Sequence, residues 1–496
     1  MRRALGFAIL VTLVRRLPSS RLLLVGLAMM LVATACGARL SGKELAEANG
    51  KGASGVSAGA GSDLQGADTQ TADAANTSSG SATGAASGPS GGGSQSNRAS
   101  GPANQAAGGG SSACAAAGGN TDVGVTANSI TLGNVSLLTG PVPGLFKGAV
   151  VGTQAFFAYQ NSLGGVCGRK LQLDARDDQF DANQNKAQYQ DLTGKAFGYV
   201  GSFSVVDDGG AQVLNAHPDI PDVSQALSRS HVAVPNNFSI APIVPGWRLG
   251  SLNYFKAKYP PDVIQHMAYF VENAQSAVDA VEGEVKAAES VGYKFVYHRT
   301  IEPTEANFSS DVVAMQQNGV KGIFFAGEVG VFVRMAKAMK QQNFSVPFAN
   351  WGANAYDPAF VTSDAAPATN GAILDQQLAM YAGEDSTLPE VQLFDSWLKR
   401  TSPGQRPDIF AAYGWESGRL FVQALTAAGP KPTRANVMAE LKKIDNFDGN
   451  GMLAPAGPAS KRPPTCFMIM TVQNGRFVRT DPPSGFICNQ GGYYRI

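Results

Sequence analysis

Short apolar runs alternate with amphipathic stretches from Ser129 to about residue 350, and this alternation restricts the fold more than any other feature of the sequence. The short runs predict strands, and the amphipathic stretches predict helices. Such a succession is typical of parallel sheets with helices on both faces. The sequence therefore predicts an α/β protein with two doubly wound lobes and a ligand cleft between them. The predicted strands are 130–136, 170–175, 198–200, 222–224, 266–271, 294–298, 322–325 and 347–350, and the predicted helices are 145–162, 182–195, 210–216, 276–290, 308–317 and 329–342.

The segment ahead of this region has a composition that does not support a folded core. No Phe, Trp or Tyr occurs from Gly37 to Leu145, and small and polar residues dominate as far as Asn120. Such a segment buries too little apolar surface to offset its conformational entropy. We expect residues 36–112 to form a disordered tether, and a low-complexity segment that binds a partner is the alternative.

Residues 1–35 have the features of an export signal. Five arginines lie between positions 2 and 21. An apolar run from Leu22 to Leu31 follows them, and Ala35-Cys36-Gly37 comes shortly after that run. The run is too short to span a bilayer comfortably, which disfavours a permanent membrane helix. The Ala-Cys-Gly step resembles a bacterial lipobox, although Ala33 stands where that motif usually has Leu. This resemblance implies that Cys36 is lipidated and anchors the exported protein to the outer face of the cell membrane; ordinary signal cleavage is the alternative.

Export permits disulfide bonds among the four remaining cysteines, Cys114, Cys167, Cys466 and Cys488. Four cysteines allow three connectivities, and the sequence does not choose among them. Proximity along the chain favours Cys466 with Cys488, which leaves Cys114 with Cys167. None of the four has the spacing of a metal site, so no bound metal is expected.

Several short motifs resemble those of one protein family in their order and spacing. They are Ile130-Thr131-Leu132-Gly133, Leu138-Thr139-Gly140-Pro141, Asn161-Ser162-Leu163-Gly164-Gly165, Lys170-Leu171-Gln172-Leu173 and Asp177-Asp178. Together they look like the opening of the branched-chain amino acid binding proteins, the type I periplasmic receptors of ABC importers. The resemblance covers about residues 122 to 480.

The resemblance implies two Rossmann-like lobes joined by three crossings. The first lobe would comprise 113–247 and 378–450, and the second 248–377 and 451–496. Such a protein closes by a hinge motion on an amino acid or related small solute and delivers it to an ABC permease. The chain is expected to act as a monomer without a cofactor. A sensor that presents its closed form to another membrane partner is the alternative, because it needs the same cleft.

In the amino acid binders of that family, the first lobe holds the ligand carboxylate with a hydroxyl and backbone amides. The matching positions here lie in the loops after the third and fourth strands, at Phe203, Ser204, Val205, Ala226 and Ser228. Hydroxyl and N–H donors suit a carboxylate because they bind an anion strongly without a buried countercharge. Ordinary turn serines are the alternative interpretation.

The second lobe of the family supplies a carboxylate and an aromatic residue for the amine end of the ligand. This sequence has Glu328 in the first of the two matching loops and Trp351 in the second, so the two residue types are exchanged. Glu328 would pair with an ammonium, and Trp351 would stack on the ligand. Glu328 as a cap of the following helix is an equally weighted alternative.

Other function classes find little support in the sequence. Its 39 Lys and Arg nearly balance 38 Asp and Glu, so no basic excess is available for nucleic acid. No GxGxxG follows the first strand, no phosphate-loop motif occurs, and the four histidines are scattered. The Asp177-Asp178 and Asp207-Asp208 pairs lie at strand-to-helix turns, where capping of the helices is the expected role. We therefore expect no enzyme, and an extracytoplasmic α/β hydrolase is the weaker alternative.

Overall fold

The computed structural model of the chain describes Cys114 and residues 118–381, 383–488 and 491–496. Thirteen strands occur in this part of the chain. In order they are β1 (Ser129–Ser136), β2 (Lys170–Asp177), β3 (Tyr199–Phe203), β4 (Asp222–Gln225), β5 (Gly246–Arg248), β6 (Met267–Glu272), β7 (Phe295–Ile301), β8 (Gly322–Ala326), β9 (Phe348–Asn350), β10 (Ile373–Gln376), β11 (Met468–Gln473), β12 (Arg476–Asp481) and β13 (Tyr493–Arg495).

Helices follow most of these strands. They are α1 (Lys147–Ser162), α2 (Ala182–Leu192), α3 (Asp208–Ala216), α4 (Arg229–Ala233), α5 (Leu249–Lys258), α6 (Pro261–Ile264), α7 (Gln275–Ser290), α8 (Ser309–Gln317), α9 (Val329–Gln341), α10 (Ala366–Thr369), α11 (Glu384–Thr387), α12 (Pro389–Thr401), α13 (Ile409–Ala427) and α14 (Arg434–Leu441). The predicted strands and helices up to residue 350 are confirmed with small shifts at their ends. Strand β5, helix α5 and the short helices α4 and α6 were not predicted.

The first sheet is parallel throughout and has the strand order β2-β1-β3-β4. Its inner strand β3 is buried along its whole length because helices cover both faces of the sheet. The pairing of Phe203 with Gln225 brings the carboxyl ends of β3 and β4 side by side. The loops that follow these two strands are therefore neighbours.

The second sheet has seven strands in the order β12-β11-β10-β9-β8-β6-β7. Strands β10, β9, β8, β6 and β7 run parallel, and β11 and β12 add an antiparallel edge. A separate two-stranded ladder joins β5 to β13. Two doubly wound sheets confirm the predicted α/β class, and the division into lobes at residues 247, 377 and 450 stays a prediction.

Helices α1 and α13 pack against each other in close contact beside the first sheet. A methyl group on Gly152 would lie 1.9 Å from the Ala411 carbonyl oxygen, and one on Gly414 would lie 2.1 Å from the Ala149 oxygen. The rings of Phe156 in α1 and of Trp415 in α13 meet edge to face at 5.1 Å. Glycine on each helix thus permits a backbone approach that any side chain would block.

Two disulfide bonds are present, Cys114 with Cys167 and Cys466 with Cys488. They confirm the connectivity that chain proximity favoured. In the part of the chain that the structure describes, no helix is long and apolar enough to cross a membrane. The predicted export signal, Cys36 and the tether lie outside the described residues.

Candidate functional site

The predicted first-lobe site residues lie on the two neighbouring loops after β3 and β4. Ser204 is 2% exposed and Ser228 is 4% exposed, so both hydroxyls belong to the interior of the loops. The Ser204 hydroxyl accepts the Val206 backbone N–H at 3.1 Å. Ala226 is buried, whereas Val205 is half-buried. The structure brings all five predicted first-lobe residues together.

Ser228 begins helix α4 and serves as its N-cap. Its hydroxyl oxygen accepts the backbone N–H of His231 at 3.2 Å and lies 3.0 Å from the Ser230 hydroxyl. An N-cap hydroxyl uses a lone pair for the helix and keeps its proton for another acceptor. Capping and ligand binding are therefore compatible at Ser228.

Aromatic rings surround the Phe203 side of this site. The Phe203 ring lies 4.6 Å from that of Phe146, 5.1 Å from that of Phe410 and 6.0 Å from that of Tyr413. Burial raises the pKa of the Tyr413 hydroxyl to about 12, so this group stays a neutral hydrogen-bond donor. The predicted first-lobe residues thus combine the Ser228 hydroxyl and an apolar aromatic surface, whereas the Ser204 hydroxyl hydrogen-bonds the Asp178 carboxylate.

Glu328 caps helix α9 in the structure. Its carboxylate accepts the backbone N–H groups of Gly330 and Val331, each at 2.6 Å, and lies 3.4 Å from an Arg334 nitrogen. This confirms the capping alternative. The carboxylate retains lone pairs, and its pairing with a ligand ammonium stays a prediction.

A second carboxyl group lies next to Glu328, and the sequence reasoning missed it. Glu272 ends strand β6 and accepts the backbone N–H of Glu328 at 2.7 Å. Burial raises the pKa of Glu272 to about 7, and the neighbouring Glu328 charge adds to the effect. Its position at a strand end was the available signal, because ligands of parallel sheets bind there.

Trp351 lies in an aromatic cluster at the end of β9 and is 4% exposed. Its ring stacks on Phe325 at 5.7 Å and also lies near Phe332 and Phe360. The loop of Trp351 is tied to the Glu328 loop, because the Asn354 side-chain amide donates to the Gly327 carbonyl at 2.8 Å. The structure therefore joins the two predicted second-lobe residues through their loops.

The first-lobe and second-lobe sets remain separate groups. Across the described residues, no hydrogen bond, ion pair or ring contact joins Ser204 or Ser228 to Glu328 or Trp351. One contact between the two sides comes from Arg229, which follows Ser228 and pairs with Asp279 and Glu282 of α7. The predicted site residues thus form two separate sets, and their bridging by a ligand stays a prediction.

Two more acids, Asp408 and Asp357, lie at the N-termini of helical segments and interact electrostatically with each other. Asp408 caps α13 by accepting the Ala411 N–H at 2.7 Å, and Asp357 accepts the Ala359 N–H at 2.7 Å. Burial raises the pKa of Asp408 to about 7, with a contribution from the Asp357 charge. The buried Tyr381 hydroxyl, which makes no hydrogen bond within the described chain, lies in the electrostatic neighbourhood of both acids.

Asp207 departs from the role that its position predicts. It is the N-cap residue of α3, but its side chain makes no capping hydrogen bond. Its carboxylate instead accepts hydrogen bonds from the backbone N–H groups of Leu227 and Ser228 at 2.7 and 3.0 Å. The same carboxylate lies 2.9 Å from Nδ1 of the His231 imidazole. The capping interpretation was wrong for Asp207. Its carboxylate bonds to donors that lie 20 or more positions later in the chain instead of to the N–H groups of α3.

Known proteins share the fold of this chain. A periplasmic binding protein family model matches residues 129–476. A fatty acid ABC transporter substrate-binding protein from Thermomonospora curvata is 19% identical, with a TM-score of 0.63 and coverage of 74% of this chain and 94% of that chain. A branched-chain amino acid ABC transporter protein from Thermus thermophilus with bound valine is 16% identical, with a TM-score of 0.61 and coverage of 73% and 97%.

A solute-binding protein of an ABC transporter from R. palustris in complex with benzoate is also 16% identical, with a TM-score of 0.60 and coverage of 74% and 98%. No curated protein sequence matches the chain. The solved structures share the fold, and the family model spans more than half of the sequence. The chain therefore belongs to the periplasmic binding protein family, with the type I fold that its two doubly wound sheets display.

Proposed function

We propose that the protein is a lipid-anchored extracytoplasmic receptor that captures an amino acid or a related small carboxylic acid and delivers it to an ABC importer. One observation carries the proposal. Ser204 and Ser228 lie on the neighbouring loops that follow β3 and β4, and the Phe203 ring at the end of β3 packs against the rings of Phe146 and Phe410. Hydroxyl donors suit the carboxylate, and the aromatic rings suit an apolar body.

The solved structures support this ligand class by analogy. One neighbour is described as a fatty acid binder, another holds valine, and a third holds benzoate. All three ligands combine a carboxylate with an apolar body. The family membership supports delivery to an importer, because periplasmic binding proteins of this type serve ABC transporters.

The predicted second-lobe residues determine whether the protein can bind a ligand that carries an amine. Glu328 would accept an ammonium only with the lone pairs that its cap and Arg334 leave available. Glu272, with its pKa raised to about 7, is a weak partner for a cation at neutral pH. An amino acid thus needs Glu328, and an acid without an amine does not.

The test is thermal denaturation of the mature protein with L-valine, L-leucine, benzoate, octanoate and an uncharged amide. A solute at about 100 times its dissociation constant should stabilise the protein by about 2.7 kcal/mol, a shift of a few degrees. D-glucose serves as the control, since it has neither a carboxylate nor an apolar body. A protein stabilised by none of the acids would contradict the proposal.

A further inference from the structure

Helix α4, which begins at the predicted ligand-binding Ser228, is too short to hold its own position. It has five residues, Arg229 to Ala233. A single turn of helix gains too few hydrogen bonds to offset the entropy of its nucleation. Something outside the helix must therefore fix the place of the Ser228 hydroxyl.

A buried group of charged side chains lies directly beneath this helix. His231 in α4 is 1% exposed, and its two ring nitrogens lie 2.9 Å from Asp207 and 2.8 Å from Asp222. The side-chain amide of Asn237 donates to the same Asp222 oxygen at 2.7 Å. The imidazole is thus held at both ends by carboxylates, one from the loop after β3 and one from the first residue of β4.

Lys461 completes the group from a distant part of the chain. Its ammonium donates to the carbonyls of Val232 and Val234 at 2.8 Å and to that of Asn237 at 3.1 Å. Lys461 therefore fixes the backbone on both sides of His231, and its charge interacts with Asp222 without a direct ion pair. Removal of one member leaves an uncompensated buried charge, which is strongly destabilising.

Asp207 connects this group to the binding loop itself. Its carboxylate accepts the backbone N–H groups of Leu227 and of Ser228, whose hydroxyl is a predicted ligand donor. Through these bonds the loop after β4 is fixed to the loop after β3, where Asp207 resides. One carboxylate thus links the two loops that carry Ser204 and Ser228.

We propose that Asp207 and His231 are positioning residues for ligand binding, which hold the Ser228 loop in its binding geometry without contacting the ligand. This inference rests on the proposed function. Asp207 fixes the backbone of the loop, and His231 fixes Asp207 through its second bond to Asp222. Affinity for the solute therefore depends on a charge network below the site.

The test compares Asp207→Asn and His231→Gln with Glu390→Gln in the complete protein. Glu390 is a matched control, because it is a buried first-lobe acid that accepts Trp415 Nε1 at 2.6 Å and pairs with Arg419, away from the Ser228 loop. Hydrogen–deuterium exchange of the peptide covering residues 222–233 measures the stability of the Ser228 loop and needs no ligand. Titration with L-valine and with benzoate reports binding.

Asp207→Asn should speed exchange in this peptide and weaken probe binding, each by about tenfold or more, because bonds to a charged acceptor are lost. His231→Gln should act in the same direction but less strongly, since the Asp207 bonds to the amides remain. Glu390→Gln should lower the melting temperature and change neither readout.

The inference would be overturned if Asp207→Asn had the same exchange rate and affinity as the unmodified protein. It would also be overturned if Glu390→Gln showed the faster exchange and weaker binding expected of Asp207→Asn. If Asp207→Asn does not fold, the same two readouts on His231→Gln decide. If neither probe binds the unmodified protein, the proposed function fails for these solutes. The exchange comparison still decides whether Asp207 holds the loop.

Discussion

At the scale of single residues, Ser228 combines a structural and a predicted binding role. Its hydroxyl oxygen caps α4, and its proton remains for the ligand or for Ser230. Glu328 has a similar double assignment, because its carboxylate caps α9 and faces Arg334. Substitutions at these positions therefore need controls that separate stability from affinity.

We expect Ser228→Ala to weaken binding of the solute identified by the denaturation screen by roughly 1.5 to 3 kcal/mol, because a hydrogen bond to a charged group is lost. Calorimetry checks this value. Thr433→Ala is the matched control, since it removes the N-cap of α14 and should cost stability alone.

Calorimetric affinities of Glu328→Gln and Trp351→Ala for the same solute decide whether these residues bind an amine group of the ligand. For an amino acid ligand, both variants should bind more weakly than the unmodified protein. Weaker binding in Ser228→Ala alone identifies an acid without an amine. Unchanged affinity in all three variants would place the site elsewhere.

His231 supplies a pH-dependent contribution to stability. Asp207 and Asp222 outweigh the effect of burial and raise the pKa of the imidazole to about 10. Because this value lies above the usual pKa of about 6.5, protonated His231 contributes stability that is complete below pH 6.5 and is lost as the pH rises toward 10. We expect the His231 ring to be an imidazolium at pH 8, which its proton NMR shifts would report. A neutral ring at that pH would contradict this assignment.

At the scale of elements, the contact between α1 and α13 depends on two glycines. A methyl group on Gly414 would lie 2.1 Å from the Ala149 carbonyl oxygen. Backbone atoms cannot move aside as a flexible side chain can, so the two helices would have to separate. The N-terminal end of α13 carries Phe410 and Tyr413 to the Phe203 ring.

We expect Gly414→Ala to destabilise the protein by about 1 to 3 kcal/mol through overpacking. Denaturant unfolding measures the loss. Gly194→Ala is the control, because a methyl group there meets no atom within 4 Å. Equal stability of the two variants would mean that the helices adjust their separation at little cost.

At the scale of the whole molecule, Arg229 joins the part of the chain around the first sheet to the part around the second sheet. It pairs with Asp279 at 3.4 Å and with Glu282, both in helix α7. Arg229 and Glu282 are 44% and 40% exposed, so solvent screens the interaction. Such pairs contribute about 0.2 to 1 kcal/mol.

Arg229→Gln should therefore weaken solute binding by a factor of at most about five, and the effect should shrink at high salt. Lys195→Gln, which breaks the exposed Lys195–Asp191 pair within the first-sheet side, is the control and should leave affinity unchanged. Equal affinity of Arg229→Gln and the unmodified protein at low salt would show that the ion pair does not support the bound state.

Membrane attachment also belongs to the whole molecule. We expect Cys36→Ala to release the protein from the membrane into the soluble fraction, because the lipid would have no attachment point. Cell fractionation measures the outcome. Membrane-bound, unprocessed protein would instead indicate that residues 1–35 remain as an anchor.

A third feature at this scale is the linkage of the connections between the two sheets. Arg248 pairs with Asp375 and lies 3.4 Å from the Gln377 side-chain oxygen. The Gln377 side-chain amide donates to the carbonyls of Pro464 and Cys466 at 2.8 and 3.2 Å. Gln377 thus contacts two other chain segments, at Arg248 and at Pro464 to Cys466, that are far apart in the sequence.

The sequence by itself determined the class of fold and the location of most elements up to residue 350. Apolar periodicity is a local property, so strands such as β1 and β8 and helices such as α7 and α9 could be read from their own residues. The disulfide connectivity followed chain proximity in the same way. The family was identifiable because its motifs are short and contiguous.

Only the tertiary structure decided which side chains meet. Asp207 looked like a helix cap, and its partners at Leu227, Ser228 and His231 became visible only when β3 and β4 paired. Likewise, Gly152 and Gly414 are ordinary helix residues until α1 and α13 approach each other. The physical reason is that hydrogen bonds and packing act over a few ångströms in space, and residues this close in space can lie hundreds of positions apart in the chain.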